Sequence, residues 1–113
     1  MLNYERYIRS GKIGIPAGAL TPGTTFPDKV EAVYKKDLSL SLAKTAQQAS
    51  FDFYNGKAYA STVTGYSIKE YLNSLGTKDA ISGKLLSTLI TEQFDVCNTK
   101  LNALGNNFNI DFI

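Results

Sequence analysis

Apolar residues recur at helical spacing in four stretches of this chain, with glycine, proline and asparagine between them. In the first stretch, Leu2, Tyr4, Tyr7 and Ile8 fall on one side of Glu5, Arg6 and Arg9, which predicts a helix over residues 1–10. Gly11 supplies a stop, with Arg9 near the negative end of the helix dipole. No start signal precedes Leu2, so this stretch reads as the end of a longer helix. The second predicted helix covers 37–55, with a stripe of Leu38, Leu42, Ala46, Ala49 and Phe53 widened by Ala43 and Tyr54, and Asn55-Gly56 as its stop. The third covers 67–75. Ser67 and Glu70 form a capping box, Tyr66 and Tyr71 occupy the two positions of a hydrophobic staple, and Gly76 ends the helix. Its apolar residues Ile68, Tyr71, Leu72 and Leu75 face one way. The fourth covers 78–104, where Leu86, Ile90, Phe94, Cys97, Leu101 and Leu104 recur every three or four residues before Gly105. Gly83 costs about 1 kcal/mol relative to alanine inside a helix, so a break there is expected.

Between the first two helices lies a connector, 11–36. Its start, Gly11 to Gly23, holds four glycines and two prolines, which rules out helix over most of it. Ile13, Ile15, Leu20 and Phe26 are too apolar for a free linker, so the connector is expected to pack down. Within it, Asp28 and Glu31 have the spacing of a capping box that opens a single turn through Tyr34. The tail, 105–113, alternates around Phe108, Ile110, Phe112 and Ile113 and reads as extended or frayed. Helices with apolar stripes and no strand pattern predict an all-α fold: a partial helical bundle with a long, ordered connector containing glycine and proline. The two longest helices would supply most of the core, bridged by the third.

Composition narrows the function. At 113 residues with 43% hydrophobic and 19% charged residues, the chain has the make-up of one small globular domain. Twelve basic residues against 10 acidic give a net charge of +2, with no basic stripe of the kind nucleic-acid binders carry. No run approaches the roughly 20 apolar residues of a membrane span, so no transmembrane segment is expected. The chain has no histidine and one cysteine. That excludes Ser-His-Asp and Cys-His catalysis within the chain, together with His-containing metal sites. No catalytic residue, metal ligand or cofactor is therefore assigned.

The remaining candidates are few. Glu92 and Asp95 share a helix face, which reads as solvated. Cys97 lies on the apolar stripe between Phe94 and Leu101, as a buried, inert thiol would. The glycines of 11–23 match no phosphate-loop pattern. Arg6, Arg9 and Lys12 are more suggestive. In a helix Arg6 and Arg9 share a face and Lys12 follows at its exit, so Arg9 and Lys12 are the candidate ligand-binding residues for a carboxylate or phosphate.

Four segments, taken in order, resemble one family. They are Lys12-Ile13-Gly14-Ile15-Pro16-Ala17-Gly18, Pro27-Asp28-Lys29-Val30-Glu31-Ala32-Val33-Tyr34, Ser67 to Gly76, and Ile90-Thr91-Glu92-Gln93-Phe94-Asp95. Together they are similar to the C-terminal part of the second half of imelysin-like proteins. That family is all-helical and two-part, belongs to the bacterial cell envelope, often as lipoproteins, and is linked to iron uptake and classed with metallopeptidases. Its G-x-H-x-x-E motif lies in the other half and has no counterpart in a chain without histidine.

The resemblance implies a periplasmic or outer-membrane-anchored location. It also implies a pocket between the halves, with the end of the first helix and the Lys12–Gly18 turn best placed to line it. Two function classes follow. One is a non-enzymatic partial imelysin-like domain that completes a binding site or scaffold. The other is an independent helical protein-interaction module. In the first case the partner is the N-terminal half of the parent protein, or a self-association partner, docking on Tyr4, Tyr7, Ile8, Ile13 and Ile15.

Overall fold

The computed structural model describes residues 2–32 and 34–105. The fold is all-α, with no strand among the described residues. A π-helix spans Tyr4–Gly14, and single 3-10 turns cover Pro27–Lys29 and Lys36–Leu38. Three α-helices follow: α1, Ser39–Tyr54; α2, Ile68–Leu75; and α3, Leu86–Asn102. The chain divides into two compact units, one within Met1–Gln47 and Thr99–Ile113, the other over Gln48–Asn98. The predicted tail lies, from residue 106 onward, outside the described residues.

The first helix departs from expectation. It does not stop at Gly11 but winds on through Gly14 as a π-helix, and Ile15 N–H still donates to Ser10 O at 2.8 Å. The wider π turn brings the carbonyl five residues back against the Cα of the following turn. A Cβ at Gly14 would lie 2.7 Å from Arg9 O, so glycine is what the winding needs there. The periodicity of Tyr4, Tyr7 and Ile8 fits either winding and does not distinguish them.

In the first unit, Val30, Leu40, Ala43 and Leu101 form the buried cluster, with Ile13 and Leu104 packed against it. Pro16 is fully buried, and Phe26 N–H closes the connector by donating to Pro16 O at 3.0 Å. Burying a leucine such as Leu40 is worth about 1.5–3 kcal/mol, which favours holding the connector against the helices.

The α1 stripe lies about one residue away from its expected position. Ser39, Leu40, Ala43, Gln47 and Tyr54 are buried, whereas Phe53 is exposed. Gln47 is buried because its Oε1 accepts from Tyr4 Oη at 2.7 Å. Its Nε2 is buried without a partner. The Asp28/Glu31 capping box does not form: the Pro27–Lys29 turn has no side-chain cap, and Val30 is extended. Asp28 instead accepts from Lys36 Nζ at 3.0 Å.

The second unit is built around aromatic rings. Phe51 and Phe94 stand with centroids 4.9 Å apart, and Tyr54 lies 6.0 Å from Phe94. Tyr54 Oη donates to Ser87 O at 3.0 Å, and the Ser87 hydroxyl donates to Asn73 Oδ1, tying α2 to α3. The α2 start follows the capping logic, with Glu70 N–H donating to Ser67 Oγ at 3.0 Å, and the stop at Gly76 is left-handed. The staple is absent, since Tyr66 is fully exposed, and α2 buries none of its residues. α3 begins at Leu86 rather than at 78. Residues 78–85 form a loop closed by a bridge between Lys78 and Leu85, with Gly83 at φ +70°. A similar bridge joins Lys57 and Thr64 after α1.

Candidate functional site

The basic residues singled out in the sequence, Arg9 and Lys12, both lie on the π-helix. Each meets a carboxylate of its own unit. Arg9 Nε donates to Glu5 Oε1 at 2.8 Å, one turn back on an exposed face. This guanidinium holds the Glu5 carboxyl below its usual range, chiefly through the hydrogen bond, and Glu5 in turn raises Arg9. Lys12 reaches across the connector to form an ion pair with Glu31. The Lys12 side chain is 17% exposed and Glu31 40%, so this pair is more sheltered than the Arg9–Glu5 pair. Arg6 makes no ion pair among the described residues.

Several local features bring Lys12 and Glu31 together. Val30 is 5% exposed, and its burial anchors the backbone that carries Glu31. Next in the chain, Ser39 Oγ donates to Lys36 O at 2.6 Å and stands 3.3 Å from Glu31 O, which fixes the approach to α1. On the opposite side Gly18 lets the chain turn back closely, since a Cβ there would lie 2.6 Å from Thr24 O. The carboxylate of Glu31, expected to cap a helix, is therefore spent on a lysine 19 residues away. Sequence spacing carries no signal for such a pairing.

The π-helix side chains expected to form one docking face are divided. Ile8 is buried, Ile13 packs on the core and Tyr4 bonds Gln47, leaving Tyr7 and Ile15 exposed. Cys97, expected to be buried, is half-buried and unpaired. Glu92 is exposed and accepts from Lys84 Nζ at 2.8 Å. Asp79 Oδ2 accepts from Ser82 N–H at 2.6 Å and from Ser82 Oγ at 2.7 Å, and these bonds hold its carboxyl below the usual range. Among the described residues there is no cluster of three or more metal-ligating side chains, and no helix long and apolar enough to cross a membrane.

The buried polar residues Gln47 and Ser87 escaped sequence reasoning. Gln47 stands four residues after Ala43, on the face that turns out to be inward, so a rotated stripe is the signal that would have found it. Compared with known proteins, the chain matches no family profile, no curated protein and no solved structure.

Proposed function

We propose that this chain is the C-terminal helical portion of an imelysin-like protein of the bacterial cell envelope. It completes a binding site or scaffold in a periplasmic or outer-membrane-anchored protein linked to iron uptake, and it has no catalytic role of its own. The observation that carries the reading is the Lys12–Glu31 ion pair. The first two resembling segments begin with a lysine and centre on a valine–glutamate, and these are the residues that join them: Lys12 pairs with Glu31 while Val30 enters the core. The glycines of the first segment also stand where a Cβ would collide with backbone, at Gly14 and Gly18. Residues spaced as in the family pattern thus have interlocking structural work in this chain.

In this reading Lys12 holds the connector closed, and Arg9, exposed and bonded to Glu5, is the cation that an anionic ligand at the seam with the other half would share with or take from that glutamate. The exposed α2 face, Ile68, Tyr71 and Leu75, favours the second reading, an independent interaction module. The coding sequence upstream of residue 1 separates them. The proposal expects a lipoprotein leader and a G-x-H-x-x-E motif there, and a co-expressed upstream half that co-purifies with this chain. An upstream region without that motif overturns it.

A further inference from the structure

The second unit contains a cleft of about 470 Å³ between the C-terminal half of α1, the loop after it and α2. Its volume falls within the range of small-molecule sites, roughly 300–1,000 Å³. Its lining carries two cations, Lys57 and Lys69, and two anions, Asp52 and Glu70. These four charges sum to zero, which disfavours a polyanion or a bare metal ion.

The charges are not equally committed. Asp52 accepts from Gln48 Nε2 at 2.8 Å and lies 3.9 Å from Lys57 Nζ. Lys69 and Glu70 have no side-chain partner among the described residues, yet Lys69 is half-buried. Asn73 also lines the cleft, and with its side-chain oxygen accepting from Ser87, its amide N–H groups are the donors it has left to offer. Phe51 contributes an apolar wall.

We infer that this cleft binds a small zwitterion, an α-amino acid or the end of a short peptide. Its carboxylate is taken by Lys69 and the Asn73 amide, its ammonium by Glu70, and its side chain lies along Phe51. A ligand with both charges replaces water at both ends, whereas a neutral polyol leaves Lys69 and Glu70 unmatched. The site is independent of the proposed family membership and contains neither Arg9 nor Lys12.

The test is a titration of the full chain with the dipeptide Gly-Phe, followed by amide chemical shifts. The expected result is saturable shifts confined to residues 48–57 and 64–73. N-acetylated and C-amidated Gly-Phe should each bind about tenfold more weakly, the equivalent of about 1.4 kcal/mol. In Lys69→Ala the amidated and free peptides should bind alike, and in Glu70→Gln the acetylated and free peptides should bind alike. Equal shifts from glucose or from the doubly blocked peptide would overturn the zwitterion assignment. No saturable shift up to roughly 10 mM, a Kd equivalent to about −2.7 kcal/mol, would overturn the site.

Discussion

The two units use different means to order similar lengths of helix. The first is held by side-chain volume: Val30, Leu40, Ala43 and Leu101 exclude water together, and Pro16 seals the connector. The second has a ring cluster of Phe51, Tyr54 and Phe94 whose position is set by directional bonds, with Ser87 accepting at its carbonyl and donating from its hydroxyl. Volume-based packing depends on how well a gap can collapse. Directional packing depends on whether each partner retains an alternative. A truncation should therefore cost more in the first unit than loss of a hydroxyl in the second.

The sharpest way to break the comparison is Leu101→Ala. We expect a loss of about 2–5 kcal/mol in chemical denaturation, with amide exchange accelerating first around Ile8 and Leu40. A loss under 1 kcal/mol would mean that the aliphatic cluster is not what holds the first unit. Gly14→Ala comes next. The added Cβ meets the Arg9 carbonyl at 2.7 Å, so the winding must shift, at about 1–3 kcal/mol as for other overpacked sites. Unchanged stability together with unchanged exchange at residues 10–15 would show that the π winding is not required.

Tyr54→Phe probes the second unit at about 0.5–1.5 kcal/mol. The effect is modest because Ser87 O also accepts from Thr91 Oγ1 at 2.9 Å. This substitution also has a pH signature. Burial pushes the Tyr54 phenol above its usual range, against a smaller opposing effect from Thr91. Its contribution is fully present below about pH 10, the unfolded value, and disappears as pH rises through the higher folded value. Stability of the parent should therefore fall more steeply above pH 10 than that of Tyr54→Phe, and parallel alkaline limbs would contradict this.

A double-mutant cycle on Lys12→Met and Glu31→Gln should give a coupling of about 0–1 kcal/mol, since the glutamate is partly exposed. A coupling above about 2 kcal/mol would place the pair in a drier setting than its exposure indicates. The smallest effect is at acid pH. Asp79, lowered by its bonds to Ser82, contributes stability above about pH 3.9 that fades as pH falls through its lower folded value. Asp79→Asn should flatten that acid limb in a pH series of chemical denaturation, with stability slightly lower at neutral pH and the two proteins converging in acid; parallel acid limbs would contradict this.

Part of the local chemistry was legible in the sequence, and the non-local chemistry was not. The ends of α2 could be read because Ser67 and Gly76 act on their own neighbours. The break before α3 was visible in Gly83 for the same reason. The rotation of the α1 stripe was hidden because Ser39 and Gln47 are polar. Ser39 folds its hydroxyl back onto Lys36 O three residues earlier, while Gln47 is held by Tyr4, 43 residues away. The same applies to Glu31, whose apparent role as a cap gave way to Lys12 across the connector. Arg9 and Lys12 were found as a basic pair, but the carboxylates that meet them come from different distances along the chain.

The two loops closed by single bridges, Lys57 to Thr64 and Lys78 to Leu85, bear on how this chain tolerates change in length. Each is tied at its neck by backbone bonds, Gly65 N–H to Gly56 O at 2.9 Å in one and Leu86 N–H to Thr77 O at 2.9 Å in the other. Their tips carry Tyr59 and Ile81, both almost wholly in solvent. Residues added beyond a tied neck cost only loop-closure entropy, about 0.6 kcal/mol for each doubling of length. Insertions and deletions among relatives should therefore collect at 58–63 and 80–83, with the neck residues kept. The same two tips are the places to graft an epitope or a fluorophore without disturbing the helices on either side.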